Sequence, residues 1–338
     1  MDRSSERPGP TLRQLVNGYQ VTQAIHVAAV LGIVDRLVDE SQSSDALAVA
    51  VGADPDALYR LLRALASIGV LREENGRRFG LTTLGAGLRS DSSESLAGWA
   101  SYVGTPDYWQ AWGALEHSVR TGENAFRHVH GTDPWTRRAQ HPEKSAVFDR
   151  AMTSLSRQVA ASVLAAYDFG RFGTVVDVGG GNGAFLAAIL AAYPAVRGVL
   201  FDQPHVVAGA APILAAAGVA DRCQVVGGSF FETIPRSGDA YVLKAILHDW
   251  EDEQSVTILR ACRRAMADGA TLAVVERELG PANASPDAKF SDLNMLVGPG
   301  GRERSPADYA ALFEAAGFRF VRFVPSVVGT GVYEGVAN

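Results

Sequence analysis

Short apolar runs alternate with helical stretches through the second half of the chain. The runs are Thr174–Val178, Val199–Phe201, Cys223–Val226, Ala240–Leu247 and Thr271–Glu276. Strands that alternate with helices predict a parallel sheet with crossover helices. The last two apolar segments, Phe318–Val324 and Gly331–Val336, predict a terminal hairpin instead. We therefore predict an α/β, Rossmann-like domain over residues 166–338.

The first half has helical periodicity. Apolar residues between Thr11 and Val38 recur at three- and four-residue spacing and predict one helix. Most sides of that helix are apolar, so a subunit interface is expected there. Residues 45–84 then predict a helix, a turn, a second helix and a short strand, the outline of a winged helix. We expect residues 1–100 to form an all-α/winged-helix dimerisation domain, with residues 1–10 disordered. Residues 101–165 are expected to form a helical linker that contributes to the substrate pocket.

Charge argues against the DNA-binding role that winged helices have elsewhere. The 338-residue chain has a net charge of −6, and residues 1–100 contain 10 arginines, no lysine and 12 acidic residues. A surface that reads DNA needs positive charge to meet the phosphates, so no nucleic acid partner is expected. The two cysteines, Cys223 and Cys262, have no metal-ligand spacing and predict reduced thiols in a cytoplasmic protein. No apolar run is long enough to predict a membrane span.

The stretch TVVDVGGGNGAF contains the most informative motif. It predicts a strand, a glycine turn from Gly179 to Gly183, and a helix from Ala184. Glycines let bare backbone and a helix N-terminus approach a ligand closely. The turn also matches the dinucleotide fingerprint, so both a nicotinamide cofactor and S-adenosylmethionine fit the motif.

Two acidic residues bear on that choice. Asp202 ends the second strand, where a carboxylate can accept hydrogen bonds from the hydroxyls of a ribose in either cofactor. Asp177 precedes the first glycine with only Val178 between them, and its carboxylate would repel the pyrophosphate of a dinucleotide. The sulfonium cation of S-adenosylmethionine tolerates that acid, so we expect S-adenosylmethionine as the cofactor.

A second cluster, LKAILHDWED, follows the fourth strand. It places His248 at the end of a strand, where open parallel sheets bind their ligands. An imidazole is a competent general base for a phenol. Either Glu276 or Glu303 is expected to accept a proton from one ring nitrogen, which would fix the tautomer and favour the imidazolium. These acids could instead pair with Arg277, Arg302 or Arg304. No other histidine has comparable acidic neighbours in the sequence, and no metal site is predicted.

Aromatic residues are concentrated between positions 95 and 165, which contain four of the five tryptophans. Core packing accounts for most of them. Flat apolar side chains with N–H groups also suit an aromatic ligand, so a few are expected to line a pocket for a small aromatic substrate.

Six motifs in order resemble the plant-type small-molecule O-methyltransferases, including bacterial enzymes of aromatic natural-product biosynthesis. They are DVGGGNG, FDQPHVV, GGSFFETIP, LKAILHDWED, VVERE and DLNMLVGPGGRERS. The resemblance extends from Thr11 to the C-terminus. It implies a class I methyltransferase domain, S-adenosyl-L-methionine as methyl donor, S-adenosyl-L-homocysteine as product, no metal, and a homodimer formed through the N-terminal domain.

The resemblance also implies roles for individual residues. His248 would be the general base, flanked by Glu276 and Glu303. The methyl donor would be bound by Asp177, Gly179, Gly180, Gly181, Asp202, Ser229, Phe230, Lys244 and Ser156. The methyl acceptor would be bound by Met152, Trp250, Asn294 and Met295.

Two positions depart from the family pattern. Ser229 replaces the acid expected to contact the adenine amine, and a hydroxyl accepts a hydrogen bond without charge assistance. Gly298 replaces an asparagine common before Pro-Gly-Gly. The hypothesis is O-methylation of a phenolic hydroxyl. The alternative is a family member with altered chemistry, namely methylation of carbon or nitrogen, hydroxylation or cyclisation.

Overall fold

The structure is a computed structural model that describes residues 11–92, 94–236 and 238–338. It divides into two compact units, Met1–Thr105 and Pro106–Asn338. The prediction of disorder for residues 1–10 lies outside the described residues. None of the described helices is long and apolar enough to cross a membrane.

The N-terminal unit is a set of helices around a small antiparallel sheet of order β1-β3-β2. Its helices are α1 (Leu12–Val16), α2 (Gly18–Val30), α3 (Ser44–Val51), α4 (Pro55–Ser67) and α5 (Ala97–Val103), and its strands are β1 (Gln42–Ser43), β2 (Leu71–Glu74) and β3 (Arg78–Leu81). The single helix predicted from Thr11 to Val38 is wrong. Asn17 separates α1 from α2, and Gly32, at a φ of +62°, follows the end of α2 and precedes a 3-10 turn.

Helices α1 and α2 leave many apolar side chains uncovered within this unit. Leu12, Leu15 and Val16 are 76%, 62% and 66% exposed, while the core of the same unit buries Leu62 and Phe79 completely. A run of exposed aliphatic side chains on consecutive helices is typical of a surface that another polypeptide covers.

The C-terminal unit contains the predicted α/β domain and the helices before it. Its strands are β4 (Thr174–Val178), β5 (Arg197–Asp202), β6 (Cys223–Gly227), β7 (Ala240–Lys244), β8 (Thr271–Arg277), β9 (Phe318–Pro325) and β10 (Thr330–Ala337). Its helices are α6 (Pro106–Gly113), α7 (Leu115–Thr121), α8 (Ala125–His130), α9 (Pro134–Gln140), α10 (Pro142–Ala166), α11 (Ala184–Ala192), α12 (Pro204–Val207), α13 (Ala211–Ala216), α14 (Asp252–Ala265), α15 (Pro286–Val297) and α16 (Pro306–Ala315).

The seven strands form one sheet of order β6-β5-β4-β7-β8-β10-β9. The first five are parallel, and β10 pairs antiparallel with both β8 and β9. This confirms the parallel sheet and the terminal hairpin. The chain leaves β4 toward β5 and later returns to β7 on the other side of β4, which creates a switch point. Ligands of open α/β sheets bind outside the strand carboxyl ends at such a point.

Two apolar layers hold the sheet between helices. Phe185, Leu186 and Ile189 of α11 pack with α10 against one face of the sheet. Ile258 of α14 and Phe313 of α16 pack against the other face. The strands read as continuous apolar runs because both faces are covered. This frame fixes the ends of β4, β5, β7 and β8 along one edge.

Candidate active site

The glycine turn after β4 presents bare backbone at the switch point. Its first two amides donate hydrogen bonds to Phe201 O, Gly179 at 2.8 Å and Gly180 at 3.3 Å. A Cβ atom on Gly180 would lie 2.5 Å from Asp177 Oδ2 and 2.6 Å from Leu200 Cδ1. No side chain fits there without displacing the strand ends. The turn therefore keeps the N-terminus of α11 open to a ligand.

Asp177 lies completely buried under this turn. Neither of its carboxylate oxygens has a hydrogen bond of normal geometry from the described residues. Burial raises the pKa of Asp177 to about 7, although the nearby Lys244 opposes the rise. Burial also lowers the pKa of Lys244, at the end of β7. Asp177 and Lys244 thus interact electrostatically under the glycine turn, and each is less completely charged than it would be on a surface.

Asp202 connects the end of β5 to the glycine turn. Its Oδ2 accepts a hydrogen bond from the Gly181 amide at 2.8 Å, and its Oδ1 accepts one from the Gln203 amide at 2.6 Å. Burial raises the pKa of Asp202. Each carboxylate oxygen retains a lone pair for a ligand hydroxyl, which suits a ribose.

Helix α10 reaches the other side of the turn. Asn182 Nδ2 donates a hydrogen bond to Thr153 Oγ1 at 2.6 Å. Met152 lies beside Thr153, and Ser156 lies one helical turn further and is buried. These contacts bring α10 to the glycine turn, as the candidate roles of Met152 and Ser156 require.

Aromatic rings line the neighbouring part of the edge. Trp250 packs edge-on against Phe230 and Phe231, with ring centroids 6.1 and 4.9 Å apart. On its other side it stacks on Trp135 of α9, 6.0 Å away. Ser229 Oγ accepts a hydrogen bond from the Phe231 amide. The rings form an apolar wall beside the glycine turn, and α9 contributes to it through Trp135.

The loop after β7 is shaped by a buried carboxylate. Glu276 Oε1 accepts hydrogen bonds from the amides of Ile246 and Leu247, both at 2.9 Å, and of His248 at 3.3 Å. The prediction that the strand continues to Leu247 is therefore wrong. The strand ends at Lys244. The Ala245 amide still donates to Val275 O of β8, and the amides from Ile246 onward turn toward Glu276 instead. Ala245 accommodates the turn at a φ of +53°.

Both predicted glutamates meet the same nitrogen of His248. Nδ1 lies 3.1 Å from Glu303 Oε1 and 3.3 Å from Glu276 Oε2. Carboxylates only accept hydrogen bonds, so Nδ1 bears a proton and Nε2 is the nitrogen left for other chemistry. Nε2 lies 3.7 Å from Asp249 Oδ1.

Electrostatics favour the charged imidazole. Burial opposes a charge on His248, but Glu276, Glu303 and Asp249 together raise its pKa to about 10. Burial raises the pKa of Glu276 to about 7. Burial acts in the same direction on Glu303, yet the charge of His248 and the hydrogen bonds from His248 and Ser291 leave the pKa of Glu303 lowered. The surrounding carboxylates, Glu276 first among them, thus favour the imidazolium form of His248.

Ser291 and Gly301 position Glu303. Ser291 Oγ on α15 donates to Glu303 Oε1 at 2.7 Å, and the Glu303 amide donates to Asp292 Oδ1. A Cβ atom on Gly301 would lie 2.2 Å from His248 O, so the loop packs directly on the histidine backbone. The sequence analysis did not identify Ser291, whose position one residue before Asp292 gave no signal of its own.

Arg304 holds the His248 loop from below. Its guanidinium is 1% exposed and donates to Leu247 O at 2.8 Å, to Trp250 O at 2.7 Å and to Asp252. Arg302 pairs with Glu251 at the surface. The alternative in which Arg302 or Arg304 neutralises the two glutamates is therefore wrong, and both glutamates face His248.

Other histidines and metal ligation also bear on this site. His117 faces Glu123 and His141 faces Glu143, each a single exposed carboxylate, whereas His248 faces two buried glutamates. Among the described residues, His248, Glu276 and Glu303 also form a set that could ligate a metal. Glu276 Oε1 and Glu303 Oε1 accept hydrogen bonds from three amides, from Ser291 and from His248. Glu276 Oε2 and Glu303 Oε2 have no hydrogen-bond partner among the described residues.

Two of the methyl-acceptor candidates, Asn294 and Met295, lie on α15. Asn294 Oδ1 accepts hydrogen bonds from Tyr108 Oη at 2.7 Å and from Trp112 Nε1 at 3.1 Å. Met295 is buried beside it. Asn124 donates to Leu296 O and Gly298 O, both within 2.9 Å, and so anchors the loop where Gly298 replaces the usual asparagine. Sequence reasoning missed Asn124, Tyr108 and Trp112 because they are about 180 residues from their partners along the chain.

Comparison with known proteins identifies the family. Residues 112–319 match the O-methyltransferase domain, and residues 13–90 match the O-methyltransferase dimerisation domain. The chain belongs to the S-adenosylmethionine-dependent O-methyltransferase family. The phenazine O-methyltransferase PhzM of Lysobacter antibioticus is 44% identical over 96% of this chain and 94% of its own.

Two further relatives show the range of this family. The 8-amino-8-demethylriboflavin N,N-dimethyltransferase of Streptomyces davaonensis is 38% identical, over 95% of this chain and 94% of its own. The crystal structure of human N-acetylserotonin methyltransferase in complex with S-adenosylmethionine superposes with a TM-score of 0.90 at 27% identity, covering all of both chains. The family thus includes enzymes that methylate nitrogen as well as oxygen.

The residues of this O-methyltransferase fit its cofactor. The glycine turn leaves no space for a side chain at Gly179 or Gly180, Asp177 supplies a buried acid for a cationic ligand, and Asp202 supplies a carboxylate for a ribose. Phe230 lies near enough to the turn to offer a ring face or edge to an adenine. Predicting S-adenosylmethionine over a nicotinamide cofactor was therefore right.

Substitution of Arg304 by lysine tests the support of the His248 loop. One ammonium cannot reach two carbonyls and a carboxylate, so buried acceptors would lose their donors. We expect Arg304→Lys to lower the free energy of unfolding in urea by about 2–4 kcal/mol and to reduce kcat.

Arg302→Lys is the matched control. Its pair with Glu251 is about half exposed on both sides, and such pairs contribute roughly 0–1 kcal/mol. Equal unfolding curves for the two variants would contradict the role assigned to Arg304.

Proposed function

We propose that this enzyme methylates a hydroxyl group, phenolic in character, of a small aromatic molecule of natural-product metabolism, with His248 as the general base. The observation that supports the base is the ring geometry. Glu303 and Glu276 both engage Nδ1, which orients the ring and leaves Nε2 as the proton acceptor. S-adenosylmethionine supplies, when bound, a methyl group activated on a sulfonium and leaves as S-adenosylhomocysteine.

We assign the binding of the methyl donor to residues around the strand ends. Gly179, Gly180, Gly181 and Asp177 face its methionine part, and Asp202 holds the ribose. Ser229 and Phe230 contact the adenine, and Lys244 and Ser156 complete the site. Ser229 Oγ already accepts a backbone hydrogen bond, so its second lone pair is the one offered to the adenine amine. Without a carboxylate there, cofactor affinity is modest.

The acceptor occupies the space bounded by α6, α10 and α15, in this proposal. Met152, Trp250, Asn294 and Met295 line it, and their flat or flexible apolar surfaces suit an aromatic ring. The segment 101–165 contributes through Tyr108, Trp112 and Trp135. Domain limits of 1–100, 101–165 and 166–338 remain our proposal for how the chain divides by role.

The raised pKa of His248 determines how the base works. A pKa of about 10 matches that of a phenol, also about 10, so proton transfer between them is nearly balanced. Neutral imidazole facing a phenol and imidazolium facing a phenolate contain the same number of protons. Both descriptions require the site to lose one proton before transfer, and both predict the same pH dependence.

Methylation of nitrogen is the second candidate. The N,N-dimethyltransferase relative is 38% identical to this chain, so the scaffold accommodates nitrogen acceptors. An amine acceptor would also use His248 to remove a proton. Hydroxylation or cyclisation remains a further alternative, and product mass separates it, since methyl transfer adds one CH₂ unit together with an equal amount of S-adenosylhomocysteine.

Replacement of the base tests the mechanism. His248→Gln keeps the size of the side chain but has no basic nitrogen, so we expect kcat to fall by about 10²–10⁴-fold. The assay follows S-adenosylhomocysteine formation at saturating donor, with EDTA present, using the best acceptor from a panel of hydroxylated naphthalenes and quinolines.

His141→Gln is the control for that measurement, because His141 faces one carboxylate at the surface. Its kcat should equal that of the wild type. A kcat of His248→Gln within a few fold of the wild-type kcat would contradict the assignment of His248 as the base.

The pH profile gives an independent test. The carboxylates favour the imidazolium, so His248 keeps its proton until the pH approaches about 10. Activity needs one proton fewer, and kcat should rise from about pH 7 to about pH 9. Glu303→Gln removes one charge that raises the pKa of His248 and should move the rising limb to lower pH by about one pH unit.

Glu314→Gln removes an exposed acid from α16 and controls for the change in net charge. Its profile should superpose on that of the wild type. A limb that stays in place in Glu303→Gln, or moves to higher pH, is incompatible with the proposed interaction.

We also propose that the enzyme is a homodimer formed through the N-terminal unit. Residues 13–90 match a dimerisation domain, and α1 exposes Leu12, Leu15 and Val16. Light scattering at micromolar concentration should give twice the chain mass. The double substitution Leu15→Glu and Val16→Glu should give a monomer, because buried unpaired carboxylates oppose association.

Val327→Glu serves as the control, since Val327 is 97% exposed at the β9–β10 turn. That variant should stay dimeric. A monomeric wild-type protein would refute the proposal.

A further inference from the structure

Asn294 is held in one orientation by two hydrogen-bond donors. Tyr108 Oη and Trp112 Nε1 both approach its side-chain oxygen, at 2.7 and 3.1 Å. An indole nitrogen can only donate, so the group facing Trp112 must be the amide oxygen and not the amide nitrogen. The carboxamide therefore cannot rotate by half a turn without placing N–H against N–H.

This orientation of the side chain also fixes the direction of the Asn294 amide nitrogen, Nδ2. Two donors occupy both lone pairs of Oδ1, and Nδ2 points away from them with two N–H groups. Among the residues that the structure describes, Nδ2 has no hydrogen-bond partner, and its atom is not sealed from solvent. A fixed donor at a partly buried position is suited to a ligand that brings a lone pair.

The position of Asn294 relates this donor to the base. Ser291 lies three residues earlier on α15, so the two side chains share a helix face, one turn apart. Ser291 contacts Glu303, and Glu303 contacts His248. Asn294 thus lies one helical turn, about 5 Å along α15, from Ser291, the residue that links α15 to His248 through Glu303. This proximity along α15 is what relates the amide to a hydroxyl held at His248.

We propose that Asn294 Nδ2 recognises a hydrogen-bond acceptor, a carbonyl oxygen or an aromatic ring nitrogen, adjacent to the hydroxyl that is methylated. Tyr108 and Trp112 are the positioning residues that keep the amide in this orientation. The proposal rests on the proposed function, because it places the reacting hydroxyl at His248. It names the substrate class as hydroxyarenes with a lone pair next to the hydroxyl.

Charged groups around the site agree with a neutral acceptor atom there. Asp249, Glu276 and Glu303 lie on the His248 side, and Asp149 of α10 is a further partly buried acid. A negatively charged group on the ligand at this position would be repelled by these acidic side chains. A carbonyl or ring nitrogen offers a lone pair without a full charge.

An isosteric pair of probes tests the proposal. 8-Hydroxyquinoline and 1-naphthol have the same shape and differ in a ring nitrogen beside the hydroxyl. Both are titrated into enzyme saturated with S-adenosylhomocysteine, with EDTA present, and binding is followed by tryptophan fluorescence. We expect 8-hydroxyquinoline to bind at least about tenfold more tightly to the wild type.

Asn294→Asp is the informative variant. A carboxylate still accepts from Tyr108 and Trp112, but it presents an oxygen where the amide presents N–H. The preference for 8-hydroxyquinoline should vanish or reverse. Tyr108→Phe and Trp112→Phe each remove one donor and should reduce the preference while leaving S-adenosylhomocysteine affinity unchanged. Asn283→Asp, an exposed asparagine in a loop, controls for the added charge.

The outcomes separate this proposal from the proposed function. His248→Gln should keep the preference between the probes even though turnover falls, so failure of the base assignment leaves the binding result intact. Equal affinities for both probes in the wild type, absence of binding by either probe, or an unchanged ratio in Asn294→Asp would each overturn the role given to Asn294.

Discussion

The hydrogen bonds that the buried carboxylate of Glu276 accepts are the interaction on which the loop after β7 depends. One oxygen of this carboxylate accepts hydrogen bonds from three successive amides, and the other faces His248. Amides that leave a sheet inside a protein must find other acceptors. Glu276 supplies them at the point where β7 ends, so one side chain terminates a strand, shapes the following loop and aims a ring.

The remaining parts of the edge are arranged around that loop. Arg304 supports it from below, and Gly301 packs on its backbone from the side. Glu303, between these two residues, faces the ring. Each residue of the segment Gly301–Arg304 therefore makes a different contact: with the His248 backbone, with Glu251, with the His248 ring and with the carbonyls of the loop. Two arginines flank Glu303 without neutralising it because each has a different partner, Glu251 for Arg302 and Asp252 for Arg304.

The local pattern of apolar residues and glycines was enough to predict much of the fold. The strand Thr174–Val178 and the helix from Ala184 have the bounds that apolar periodicity and glycine spacing gave them, because the residues that decide them are adjacent. Prediction failed where a distant group intervenes. β7 stops early because of Glu276, 30 residues away. Likewise, Asn294 was predicted as a pocket residue, while Tyr108 and Trp112, which orient it, have no local signature.

Helix α15 links two properties that could have been separate. Ser291 donates to Glu303, and Asn294, on the next turn, accepts from Tyr108 and Trp112. A rigid helix cannot shift one turn without moving the other. Divergence in substrate range therefore meets a constraint on this side of the cavity. Helix α6 meets the same constraint because its Tyr108 and Trp112 hold Asn294, and α10 meets another because its Thr153 accepts a hydrogen bond from the glycine turn.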